Sequence, residues 1–146
     1  MKIMTYSRIL VAYDGSDLAK KALDEAVLLT SCNPTTEIHV VHVVKIVKPV
    51  TGGEFGVEKY VNENMYKEGE EVLAGIKDFL SRIPNPVKTF VIGDYNPSDA
   101  IISHAKEDDC DLIVMGSRGL GGIKMFLGSV SHTVIQRSEI SVLIVK

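Results

Sequence analysis

The chain has 146 residues, 45% of them hydrophobic and 24% charged, with a formal net charge of -3. That supply of apolar side chains suits one core and one domain over residues 1–146, and the interspersed charges offer neither a basic face for nucleic acid nor a polybasic anchor for a membrane. No window approaches the ~20 apolar residues of a membrane span, and residues 1–6 lack an apolar leader with a cleavage signal; Cys32 and Cys110 lie far apart without metal-type spacing, so a cytoplasmic protein with two free buried thiols is expected.

In chain order, the first apolar run is Ile9-Leu10-Val11-Ala12, within a strand from Arg8 to Tyr13 that ends in the turn Asp14-Gly15-Ser16-Asp17. Asp14 suits an Asx turn and Ser16 a helix N-cap. Leu18, Ala22, Ala26 and Leu29 then recur at helical spacing, with Lys20, Lys21, Asp24 and Glu25 predicted to face water. Ser31-Cys32-Asn33-Pro34 stops that helix, and the Val-rich segment Ile38 to Val44 predicts a second strand carrying His39 and His42, both expected to be structural. Residues 45–56, with Pro49 and three glycines, predict the longest loop.

Val57, Val61, Met65, Val72, Ile76 and Ile83 predict one long helix of about seven turns, with Met65 as core filler. Pro84 and Pro86 end it, Val87 to Ile92 predict a third strand, and Asn96-Pro97-Ser98-Asp99 has the N-cap, N1 proline and early acid of a helix reaching about Glu107. Leu112 to Met115 form a continuously apolar, doubly buried strand, a helix follows from Ser129 to Arg137 with Val130, Val134 and Ile135 in its apolar pattern, and Val142 to Val145 close the chain. Buried strands alternating with amphipathic helices imply an α/β fold: a five-stranded parallel open sheet with helices on both faces, Rossmann-like. Ligands of such sheets sit at the carboxyl ends of the strands, near the point where strand order reverses.

Between the fourth strand and its helix lie Gly116, Gly119, Gly121, Gly122 and Gly128, followed by Ser129 and Ser131, with Arg118 and Lys124 beside them. Glycines let backbone N–H groups approach an anion, and a helix start supplies further unpaired donors, so this stretch is a candidate phosphate cradle; a tight connection is the alternative reading. A side chain on Gly128 is expected to fill the anion site. The chain has no Gly-x4-Gly-Lys-Ser/Thr, no Gly-x-Gly-x-x-Gly after the first strand, and a single acid, Asp94, after the third strand where a phospho-receiver would need more. No Ser/His/Asp set or carboxylate pair can be assigned to one strand end, so no catalytic residue is assigned.

The segments Ile9 to Ser16, Val40 to Val43 and Met115 to Ser131 resemble the universal stress protein family, and the resemblance covers the whole chain. Gly116, Gly119 and Gly128-Ser129 resemble the Gly-x2-Gly-x9-Gly-Ser/Thr pattern of the nucleotide-binding branch, with eight residues in place of nine between Gly119 and Gly128. The resemblance implies an adenine nucleotide hydrolase-like fold that binds ATP or AMP with Mg2+ or Mn2+. Ala12, Tyr13 and Asp14 would line the ribose and adenine, Val43 would offer backbone to the adenine, and Met115 and Gly116 would wall the pocket. Gly119, Gly128, Ser129, Val130 and Ser131 would hold the phosphates. It also implies a homodimer through the C-terminal strand. The leading expectation is a nucleotide-binding regulatory switch of the stress response; the alternatives are a slow metal-dependent ATPase using Asp14 and a structural dimer without nucleotide.

Overall fold

A computed structural model describes residues 5–48, 57–119 and 127–146 of the chain. Gly121, Gly122, Lys124, residues 49–56 of the predicted long loop and most of the eight-residue spacer lie outside them.

Strand β1 (Arg8–Ala12) sits at the middle of the sheet, and its Ile9, Leu10 and Val11 are fully buried. Around it run α1 (Asp17–Leu29), β2 (Glu37–Lys45), α2 (Val57–Ala74), α3 (Lys77–Ser81), β3 (Val87–Asp94), α4 (Pro97–Glu107), β4 (Leu112–Gly116), α5 (Ser129–Arg137) and β5 (Ser141–Val145). All pairings are parallel, in the order β3-β2-β1-β4-β5, so the five-stranded α/β sheet is the predicted one. Successive strand residues point to opposite faces. Ile9, Val11, Leu112 and Val114 therefore pack beneath α1, α2 and α3, while Leu10, Ile113 and Met115 pack with Ile101 and Ala105 of α4 and Val134 of α5. Because both faces are covered, the central strands read as unbroken apolar runs.

The predicted turn and caps form as the local chemistry requires. Ser16 N–H donates to Asp14 Oδ1 at 2.9 Å, Gly15 takes φ +83°, and Ala19 N–H donates to Ser16 Oγ at 3.2 Å. Asn96 Oδ1 accepts from Ser98 N–H at 3.1 Å and so caps α4, with Pro97 at the first helical position.

Four expectations are corrected. The buried stripe of α1 is Ala19, Ala22, Leu23 and Ala26, whereas Leu18 is half-buried and Leu29 is exposed. The single long helix is two, because the chain turns at Gly75–Ile76, where Ile76 N–H bonds back to Leu73 rather than continuing the α-helical ladder. In α2 the buried positions are Gly69 and Leu73; Val57 and Val61 are exposed and Met65 is half-buried, so Met65 is not core filler. Cys110 is buried as expected, but Cys32, in the turn after α1, is exposed.

Candidate functional site

Strand order reverses between β1 and β4: β2 and β3 lie on one side of the pair, β5 on the other. Helices leaving adjacent strands there go to opposite faces, which opens a crevice at the carboxyl ends. A cleft of about 240 Å³ lies at this point. From β1 and its turn come Ala12, Tyr13 and Asp14; from β2, Val43; from β4, Met115 and Gly116; then Arg118 and Gly119, and from α5 Val130 and Ser131. Ten of the twelve residues singled out in the sequence thus share one cavity wall. The other two, Gly128 and Ser129, are the N-cap and first residue of α5 and lie outside that lining.

Five further lining residues were not assigned from sequence: Ser16 and Ala19 of the α1 start, Val41 of β2, and Pro97 and Ile101 of α4. Ser16 and Pro97 were legible as helix-start residues, and every helix that follows a strand here starts on the ligand side. That signal would have brought them into the set.

The three helix starts at the cleft differ in their capping. Ser16 caps α1 and Asn96 caps α4 through side-chain oxygens, but α5 begins at Gly128, and among the described residues no side chain caps it. The first-turn N–H groups of a helix carry partial positive charge and need acceptors, so an uncapped start is suited to an anion. The base of the glycine stretch is pinned on both sides. Gly128 N–H donates to Ser117 O at 2.6 Å, and Ser131 Oγ donates to Gly116 O at 2.8 Å. The Ser131 hydroxyl, expected as a phosphate donor, is therefore engaged within the protein.

Glycine is required at particular points. A Cβ on Gly119 would meet Asp14 Oδ2, and one on Gly116 would approach Leu18 Cβ to 2.9 Å. A Cβ on Gly128 would come within 3.1 Å of Arg118 Cα and 3.3 Å of Ser117 O. A side chain at Gly128 would thus press on Ser117 and Arg118 at the loop base.

On the other side of the cleft, β1 ends opposite Val41, whereas β2 continues to Lys45. Val43 therefore lies beyond the last β1 partner, and its edge borders the cavity. Tyr13 N–H donates to Val41 O, and the Tyr13 carbonyl accepts from His42 Nδ1–H at 2.8 Å, which gives His42 the structural role expected of it. Burial, with the Asp14 carboxylate beside it, pushes the Tyr13 hydroxyl above its ordinary pKa, so it stays protonated at neutral pH.

The sequence profile of the universal stress protein family matches residues 5–146. The universal stress protein YxiE of Bacillus subtilis is 38% identical over 149 residues, covering 97% of this chain and 99% of that protein. Among solved structures, MJ0577 of Methanocaldococcus jannaschii matches with a TM-score of 0.82 at 27% identity, over 98% of this chain and 97% of that one. A universal stress protein family protein of Arabidopsis thaliana, solved with AMP bound, matches with a TM-score of 0.69 at 19% identity, over 96% and 91% of the two chains, a likeness of fold.

Proposed function

Because this chain belongs to the universal stress protein family, we propose that it binds an adenine nucleotide, ATP or AMP, in the cleft over β1 and β4 and serves as a regulatory switch in a stress response. The observation that carries this reading is the uncapped N-terminus of α5, beside a cleft whose far wall is the protruding edge of β2. One end of the cavity suits an anion, the other a flat base with a hydrogen-bonding edge. AMP in the Arabidopsis family member supports the same ligand class.

In this reading Val43 presents backbone to the adenine, Ala12 and Met115 flank it with apolar surface, and Asp14 faces the ribose. Backbone N–H groups of Ser129, Val130 and Ser131 take the phosphates, with Gly119 keeping the opposite wall low and Arg118 adding charge. Mg2+ or Mn2+ would neutralise phosphate oxygens when ATP is the ligand. Asp14 already uses one oxygen on its turn, so we assign it to holding the nucleotide and expect slow hydrolysis. The protein is cytoplasmic in this reading and forms a homodimer through β5.

Calorimetric titration of the untagged protein with ATP plus Mg2+, and separately with AMP, tests the proposal. One site per chain for either nucleotide is expected; folded protein that binds neither would overturn it. A metal-dependent turnover of ~1 s⁻¹ or faster, lost in Asp14→Ala, would replace the switch with an ATPase.

A further inference from the structure

At the amino end of the sheet, away from the cleft, a second group of side chains converges. His39 lies near the start of β2, paired in register with Leu10 and Lys88, and is 2% exposed. His104 and Asp108 lie one turn apart at the end of α4, which packs over that face. His39 Nδ1 is 3.0 Å from His104 Nε2 and 3.6 Å from Asp108 Oδ2, and His104 Nε2 is 3.5 Å from the same oxygen. Three potential ligand atoms thus form a triangle of nearly equal sides.

We propose that His39, His104 and Asp108 form a binding site for a divalent transition-metal ion of the zinc type, which would clip β2 to α4. Bonds of about 2.0–2.1 Å at tetrahedral angles require ligand atoms roughly 3.3 Å apart, and the three observed separations bracket that value. Two imidazoles and one carboxylate are a donor set that zinc accepts, with water completing four-coordination.

The surroundings orient the ligands. Glu37 Oε1 accepts from His39 Nε2–H at 2.6 Å, which turns the other ring nitrogen, Nδ1, toward His104 and Asp108. A carboxylate holding the outer nitrogen of a metal-binding histidine is the usual second partner of such sites. Glu37 is itself held by Arg8 at 3.3 Å and Lys88 at 3.2 Å. Those two cations balance Glu37, so the Asp108 carboxylate remains as the anionic ligand. Phe90 covers the pair, its ring centroid 4.9 Å from that of His39 and 4.5 Å from that of His104. Without metal, His39 Nδ1 and His104 Nε2 lie within hydrogen-bond distance of each other at 3.0 Å; ligation of the ion by both rings places the remaining His104 ring proton on Nδ1.

The test is zinc titration of the untagged chain, without nucleotide, against a competing chromophoric chelator, alongside His104→Gln, Asp108→Asn and Glu37→Gln. Wild type should take up one equivalent that both ligand variants lose, and Glu37→Gln should weaken it by about 10–100-fold. Zinc should raise the melting temperature of wild type and leave that of Asp108→Asn unchanged. Zinc held elsewhere on the surface would appear equally in all four proteins. Asp108 is partly exposed, so its variant stays informative if His104→Gln fails to fold. Equal zinc uptake by folded wild type and Asp108→Asn, including none by either, would overturn the proposal.

Discussion

A Cβ atom built on Gly119 would stand 2.5 Å from Asp14 Oδ2, so the glycine stretch and the first turn fit together because residue 119 has no side chain. The same carboxylate, through Oδ1, holds the turn that starts α1. Gly119→Ala should push Asp14 out of place and weaken adenine nucleotide binding by roughly 10-fold or more. In an Asp14→Ala background the added cost should shrink, giving a coupling of about 0.5–3 kcal/mol in a double-mutant cycle read by calorimetry. Additive effects would show that the two residues do not meet.

Ser131 tests the pinned loop base. Its hydroxyl is buried and donates to the Gly116 carbonyl, the last residue of β4. Ser131→Ala should cost about 1–3 kcal/mol, seen as a lower urea midpoint with an unchanged slope. A variant as stable as wild type would mean that the bond contributes nothing net.

Glu37 sets an acid limit on stability. Its hydrogen bond from His39, helped by Lys88 and Arg8, lowers its pKa from 4.5 to about 2 in the folded protein. A lowered carboxylate pKa means that the unfolded chain binds more protons between those values, so the contribution is full above pH 4.5 and lost as pH falls toward about 2. In metal-free buffer, Glu37→Gln should therefore be less stable than wild type at pH 6, and the gap should narrow steadily below pH 4.5. Parallel denaturation curves for both proteins across that range would contradict this.

Strand β5 ends the sheet on the side of β4, with Val142, Leu143 and Ile144 half-buried. An edge strand with unpaired backbone groups and apolar side chains invites a second copy, and a two-fold pairing closes the assembly. Light scattering at micromolar protein should give a two-chain mass. A mass of one chain, independent of concentration and of ATP, would end the dimer proposal.

What could be read along the chain was whatever neighbouring residues decide among themselves. Asp14-Gly15-Ser16 and Asn96-Pro97-Ser98 write their own turn and caps, and Leu112 to Met115 are apolar enough to imply burial on both faces. The family resemblance and the charge of the glycine stretch together named ten residues that share the cleft, six of them within residues 115–131. Which face a helix turns inward is not local. Leu18 and Leu29 fit a helical period as well as Ala19 and Leu23, and the sheet beneath α1 selects the latter pair, where small residues let helix and strands approach. The helix breaks at Gly75–Ile76 although Leu73, Ile76 and Leu80 belong to one core, and Cys32 is exposed on the turn after α1. Tertiary structure alone brought Ile101 to the cleft, since parallel strands must be crossed by whole helices before residues distant in sequence meet. His39 and His104, 65 positions apart, are brought within 3.0 Å for the same reason. A histidine on a strand says nothing of its partner until a helix is laid across it.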